Sequence, residues 1–403
     1  MVESKPKCQF CGIQEGELIY GFHAMGLPQE EFEQKINKWG RANWWENLER
    51  EDLTEEESKE LGQIAFYDQL LHTVGRGFAC VSCLQKEDEL YNKYYPNQMK
   101  KPNVVISLSG GMDSSTLLLK ALKEYENVVC ISFDYGQKHK IELEKAKELV
   151  EYLNLNPFRV FHHDHISGGF EYKYNLVKHQ IIKLEGLSNL LVSGLVDNDS
   201  MELKKGHYAH ENALTSVVPN RNAIFASITY AVALSLVKKT GEPCDIALGT
   251  HMGDFDNKKQ QGIYPDCSED FRTALEYAFK IGNWDSDKVN YWAPYNNTDK
   301  TGVLKDGIEC CTFLGLDYKK IYLRTNTSYA PILIEVPENS TAPYWVSDYK
   351  SGSSVERIES FIKLGLEDPI QYAEEDGTLV SWDFVKKYVE SICEEWELSK
   401  GEH

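Results

Sequence analysis

The octet Ser109-Gly110-Gly111-Met112-Asp113-Ser114-Ser115-Thr116 follows the β-branched run Val104 to Leu108 and leads straight into the apolar-periodic segment Asp113 to Tyr125. Two glycines alone would also suit a plain strand-to-helix turn, but the whole octet carries more. The glycines let backbone approach a phosphate, the helix N-terminus turns N–H groups toward it, and the serine hydroxyls add donors. Asp113 is suited to hold a magnesium ion that neutralises a leaving pyrophosphate. The spacing is not GxxxxGK[ST], which excludes a Walker loop, and in its strand-to-helix setting the octet reads as a nucleotide pyrophosphate site.

From residue 103 onward, short β-branched runs alternate with longer amphipathic ones. Val104 to Leu108, Val128 to Phe133, a run near Phe158 to Phe161, and Asp245 to Gly249 read as strands. Asp113 to Tyr125, Lys140 to Leu153, and Ala223 to Val237 read as helices. That order predicts an α/β fold, a mainly parallel sheet with helices on both faces. The ligand crevice of such a sheet lies beyond the carboxyl ends of its strands. Residues 166–218 fit no place in the alternation and read as an insertion or an active-site loop, while 373–403 read as an acidic C-terminal helix from Trp382 to Trp396.

Charge narrows the partners. Among 403 residues, 43 Lys and Arg face 63 Asp and Glu, a net charge of −20, of which −7 falls in residues 1–100 and −6 in 373–403. Clustered cations that could track a phosphate backbone are lacking, so no nucleic-acid partner is expected. No run of 18 apolar residues occurs, and the opening MVESKPKCQF has no apolar signal core, so the expectation is a cytoplasmic protein without a membrane partner. Ten cysteines are too few for a disulfide scaffold of this length. Four of them form the pairs Cys8-x-x-Cys11 and Cys80-x-x-Cys83. Two such knuckles supply the four thiolates of a structural zinc site, which makes residues 1–100 a mostly helical zinc-knuckle module; two unrelated thiol pairs are the alternative.

The octet resembles the signature of the PP-loop ATP pyrophosphatases, of adenine nucleotide alpha hydrolase-like fold, which cleave ATP to AMP and pyrophosphate while adenylating a carbonyl oxygen. Four further segments are similar to the QueC family, the 7-cyano-7-deazaguanine (preQ0) synthases, among them: Asp134-Tyr135-Gly136-Gln137-Lys138-His139 with Glu142, Pro219-Asn220-Arg221-Asn222, Tyr264-Pro265-Asp266-Cys267 with Phe271, and Arg357 to Tyr372. The resemblance covers about 103–372, within a catalytic domain of 101–372.

It implies an ATP-dependent C–N ligase acting on ATP and 7-carboxy-7-deazaguanine. Ser109, Gly110, Gly111, Asp113, Ser114 and Ser115 would hold the phosphates and magnesium, with Asp134 and His139 near the nucleotide. Asp113, Ser114 and Arg221 would take part in catalysis, Arg221 on the substrate carboxylate or the α-phosphate. Asp266 would pair with the amidine edge of the deazaguanine, Tyr264 would stack or bond beside it, and Cys267 would line the pocket. A homodimer is also implied. The family's C-terminal zinc cysteines align with Ser328, Asp348, Ser351 and Ser354, a set that does not hold zinc as thiolates do.

Three readings of function follow. QueC-like proteins of bacterial anti-phage (type IV CBASS) operons join the activated acid to a protein N-terminus, and the terminal additions here favour that protein-directed ligation. A preQ0 synthase using ammonia is the alternative, and a non-catalytic nucleotide-binding scaffold is a third.

Overall fold

The structure, a computed structural model, describes residues 18–20, 38, 54, 57, 61, 78–80, 100–138, 140–155, 159–163, 170–174, 176–196, 201–208, 211–253, 255–256, 261–262, 264–335 and 343–400. The chain divides into two units, Met1–Met99 with Arg159–Tyr174, and Lys100–Phe158 with Asn175–His403. The described backbone of the first unit contains two antiparallel pairs, Leu18–Tyr20 with Phe78–Cys80 and Arg159–His163 with Phe170–Tyr174. Cys8, Cys11 and Cys83 lie outside the described residues, and Cys80 is described only as a strand position opposite Leu18.

The second unit is built on five parallel strands: β1 Lys101–Ser107, β2 Tyr125–Asp134, β3 Lys178–Lys183, β4 Cys244–Ala247 and β5 Val289–Tyr291, in the order β5-β4-β1-β2-β3. Helix α1 (Met112–Glu124) joins β1 to β2, α2 (Ile141–Leu155) follows β2, α3 (Arg221–Thr240) precedes β4, and α4 (Glu269–Gly282) precedes β5. Right-handed crossovers put α1 and α2 on one face and α3 and α4 on the other, because the strand order reverses direction at β1. Val105, Ile131, Phe133 and Ile246 of the sheet pack with Tyr230, Ala233 and Val237 of α3. The reversal leaves a crevice between the carboxyl ends of β1 and β4, and the octet opens into it.

One expected strand is corrected. The run near Phe158 to Phe161 does not join the parallel sheet; Arg159–His163 belongs to the first unit and pairs with Phe170–Tyr174. The sheet's edge is β3, inside the span read as an insertion, and it pairs with β2 from Val129↔Lys178 to Asp134↔Lys183. Its sequence, KHQIIK, shelters only His179 and Ile182 partially, so an edge position replaces the apolar run by which a central strand is read.

Among the described residues this unit also holds three longer helices, α5 (Lys300–Phe313), α6 (Gly352–Lys363) and α7 (Trp382–Lys400), and the short helix Tyr318–Tyr322. The acidic C-terminal helix is part of the core. Val385 and Val389 of α7 are fully buried with Tyr349, Val355, Ile358 and Tyr372. Beneath them Arg357, 1% exposed, donates to both oxygens of Asp368 at 2.6 and 2.9 Å and to Thr325 Oγ1 at 2.7 Å. Tyr372 also donates to Asp368, at 2.8 Å.

Removing one member of a buried ion pair strands the other charge in a poorly solvating interior, at about 3–5 kcal/mol. Asp368→Asn is therefore expected to lower unfolding free energy by about that amount, read as a lower denaturant midpoint at unchanged slope. A loss below about 1 kcal/mol, the range of exposed pairs, contradicts the assignment.

Candidate active site

A cavity of about 210 Å³ opens at the crevice. Its phosphate-loop end is lined by Ser109, Gly111, Asp113 and Ser114, with Gly249 following β4 and Lys300 opening α5. Gly110 adopts φ +86°, and a Cβ there would collide with the backbone carbonyl of Glu142, so the turn needs a glycine. Gly249 is pressed against Ser114, where a Cβ would lie 2.9 Å from the Ser114 backbone. Ser109 and Ser114 share a hydroxyl hydrogen bond of 2.9 Å, and the Ser109 N–H donates to Ser114 Oγ at 3.1 Å. The loop is thus preformed, with its hydroxyls at the cavity wall.

Lys300 is the cation of this end. Asp299 caps α5 by accepting from the Gly302 N–H at 2.9 Å, which places Lys300 in the first turn. The residue is only 5% exposed, and its ammonium lies 2.6 Å from Glu356 Oε2 and 3.3 Å from Asp113 Oδ2. His251 Nε2 lies 3.8 Å from Asp113 Oδ2 and 3.9 Å from Glu356 Oε1. The other Asp113 oxygen, Oδ1, is buried without a hydrogen-bond partner among the described residues. An orphaned carboxylate oxygen beside a phosphate loop suits a hard cation that takes oxygen ligands, so the residues fit magnesium at Asp113.

The opposite end carries Arg221, Asn222, Tyr264 and Cys267. Asn220 precedes α3 at φ 56°, a left-handed conformation that Asn tolerates better than most residues, and this sharp entry sets Arg221 at the cavity. Arg221 interacts electrostatically with Tyr135, whose phenol is held above its ordinary pKa chiefly by burial. Phe133 and Phe225 stack at 4.0 Å and 9°, giving a flat apolar wall against which a heterocycle can lie. Tyr264 shares a 2.7 Å hydroxyl bond with Ser216, and Cys267 Sγ accepts from Asn222 Nδ2 at 3.5 Å.

Residues 203–208, from the span read as an insertion, line the cavity together with Ser351, Gly352 and Ser353. They are tied down there: the Gly206 N–H donates to the Lys350 carbonyl at 3.1 Å, and His207 stacks between Tyr208 and Trp396 of α7. Below, the four positions aligned with the family's zinc cysteines meet. Ser328, Ser351 and Ser354 donate to Asp348 Oδ1 at 2.5, 2.7 and 2.9 Å, while the Lys350 and Ser351 N–H groups donate to Oδ2 at 2.8 and 2.5 Å. This buried carboxylate joins the segment carrying Asn326 and Thr327 to the start of α6, both of which line the cavity.

Of the residues expected at the site, Ser109, Gly111, Asp113, Ser114, Arg221, Tyr264 and Cys267 line one cavity. Gly110 shapes the turn behind it, and Ser115 is fully buried in α1 with its hydroxyl unpartnered. Asp134 is not on the wall; it accepts from the Gly136 N–H at 3.4 Å and pairs with Lys140 at 3.1 Å. Asp266 is not on the wall either, lying in the turn Pro265–Cys267 with Tyr291 among its electrostatic neighbours. His139 lies outside the described residues. Sequence reasoning missed Lys300, His251 and Glu356. One local signal was present: a lysine directly after a capping aspartate puts a cation where the helix dipole disfavours one.

A charge-assisted hydrogen bond contributes about 1.5–3 kcal/mol, so Lys300→Met is expected to weaken ATP binding by at least about tenfold in calorimetric titration. Unchanged affinity contradicts the placement of the triphosphate at this end.

The family model described as queuosine biosynthesis protein QueC matches residues 103–331. 7-Cyano-7-deazaguanine synthase 2 of Colwellia psychrerythraea (strain 34H) is 35% identical over 275 residues, which span 68% of this chain and 100% of that protein. 7-Cyano-7-deazaguanine synthase of Psychromonas ingrahamii is 32% identical over 269 residues, 67% of this chain and 97% of that one. Among solved structures, NMN synthetase from Francisella tularensis aligns over 57% of this chain and 78% of its own at 12% identity, with a TM-score of 0.26, too loose a likeness to carry an argument. On its family match and its full-length relatives, this chain belongs to the QueC family.

Proposed function

We propose that this chain uses ATP to activate the carboxylate of 7-carboxy-7-deazaguanine and transfers the acyl group to an amine. The observation that carries the reading is one cavity with a phosphate-loop end at Ser109 to Ser114 and Lys300, and an Arg221 end with an aromatic wall. Relatives of 32–35% identity that it covers almost entirely are 7-cyano-7-deazaguanine synthases.

A carboxylate resists amines because its charge and resonance oppose attack; its mixed anhydride with AMP has a good leaving group. Arg221 is suited to hold the carboxylate in line with the α-phosphate, while Phe133 and Phe225 take the flat ring. Lys300 and the loop N–H groups neutralise charge that develops as the bond to pyrophosphate breaks. Magnesium, when bound with the triphosphate, adds to that neutralisation, and Asp113 would hold it. The amine then displaces AMP and leaves an amide. With ammonia as the amine, a second activation on the amide oxygen and loss of the elements of water give the nitrile.

A second reading joins the acid to the N-terminus of a partner protein and stops at the amide. It is favoured by the part of the chain beyond the relatives: the 275 aligned residues account for 68% of it, and both CxxC pairs precede residue 103, where the family match begins. The terminal segments would then receive the partner, and a zinc-stapled module at Cys8, Cys11, Cys80 and Cys83 would give it a rigid surface.

Incubation with ATP, 7-carboxy-7-deazaguanine and ammonia is expected to give the nitrile with two AMP per product by mass spectrometry. With the candidate partner in place of ammonia, the second reading predicts a mass increase confined to that partner's N-terminal peptide. Asp113→Ala should abolish AMP formation in either case; AMP formation that survives it, or no AMP with either amine, refutes the proposal.

A further inference from the structure

We propose that Glu142 is the general base of the amine-transfer step, taking the proton from the nitrogen that attacks the acyl-adenylate. The proposal rests on the function proposed above and assigns a further residue to that chemistry.

Among the described residues the cavity is lined by three carboxylates, Asp113, Glu142 and Glu356. Two are engaged, since Lys300 holds both Asp113 and Glu356. Glu142 is different: its carboxylate makes no hydrogen bond or ion pair with a described residue, and its surface opens into the cavity. Its position is fixed on both sides. The Glu142 carbonyl packs against Gly110 of the phosphate loop, and Arg221 at the start of α3 attracts the carboxylate electrostatically. Glu142 therefore stands between the loop suited to the phosphates and the cation suited to the acid, on the wall of the cavity where the mixed anhydride would form.

Proton balance requires an acceptor at that place. When a neutral amine attacks the acyl carbon, the new C–N bond leaves a positive charge on nitrogen. One N–H proton passes to the Glu142 carboxylate, and the C–O bond to the phosphate breaks with its electron pair leaving on AMP. The products are the amide, AMP and a protonated Glu142, which returns the proton to solvent. Burial pushes the Glu142 carboxyl up to about 7, with Arg221 pulling the other way. Such an acid is partly ionised at neutral pH and still basic enough to accept a proton, the compromise that favours a general base. The groups that face it are Arg221 from α3 and Tyr135 beyond β2.

The test compares two half-reactions in the full-length protein. Acid-dependent exchange of labelled pyrophosphate into ATP reads adenylation alone, and amide formation from ammonia reads the transfer. For Glu142→Gln we expect amide formation to fall by at least about 100-fold, the usual contribution of a positioned base, while exchange falls by less than tenfold. Referred to the concentration of free NH3 at each pH, wild-type transfer should decline as pH falls through about 7, a limb that Glu142→Gln lacks. Glu142→Asp, which keeps the carboxylate, should recover part of the rate. Equal losses in both half-reactions would place Glu142 in substrate binding and overturn the proposal, as would undiminished amide formation. Wild-type protein without exchange would overturn the underlying function instead.

Discussion

Lys300 is a cation that local rules place badly and tertiary structure places well. It stands in the first turn of a helix, where the dipole opposes positive charge, and it is almost completely removed from water. Either circumstance alone disfavours the ammonium. Two carboxylates offset the cost, Asp113 from the first turn of α1 and Glu356 from α6, with His251 facing both. The consequence is architectural as well as chemical. Three helices distant in sequence are drawn together at the mouth of the phosphate loop, and removing any of the three charges leaves the others uncompensated in the interior.

Around that point, two buried carboxylates organise what a small core would leave loose. Asp368 holds Arg357 and Tyr372, joining α6 to the segment before α7. Asp348 gathers three serine hydroxyls and two backbone N–H groups, joining residues 326–328 to the start of α6. In the family pattern, zinc thiolates occupy the four positions that meet at Asp348. Here a carboxylate with hydroxyl donors satisfies the same convergence by hydrogen bonding, with Ser351 and Ser354 donating from the turn that opens α6 and Ser328 from the 326–328 segment. The cavity wall formed by Asn326, Thr327, Gly352 and Ser353 is built on this cluster.

How far the site was legible in sequence follows from how local each interaction is. The octet was legible because strand, turn and helix are contiguous, and Gly110 with φ +86° and Asp113 on the cavity wall lie where its pattern put them. Arg221 was legible for a similar reason, since Pro219-Asn220 sets the turn that opens α3. Lys300 and Glu356 were not, because their roles exist only once residues 56 apart are brought within 2.6 Å. Edge strand β3 escaped because an edge needs no continuous apolar run, and the run near Phe158 to Phe161 took its place in the reading. Asp266 was placed by motif beside Tyr264 and Cys267, but the short turn Pro265–Cys267 leaves it off the cavity wall that its two neighbours reach. The C-terminal helix was read by its charge, while its packing is decided by Val385 and Val389 on the other face.

Membership of the QueC family and the joined cavity lead to one chemical claim: the cavity brings a carboxylate oxygen onto the α-phosphate of ATP. Isotope transfer tests it directly. With both carboxylate oxygens of 7-carboxy-7-deazaguanine labelled as ¹⁸O and a single turnover in unlabelled water, AMP should carry one ¹⁸O, because the anhydride breaks at the acyl carbon. AMP without label, or label appearing in inorganic phosphate, would contradict attack of the carboxylate on the α-phosphate, and with it the reading of this site.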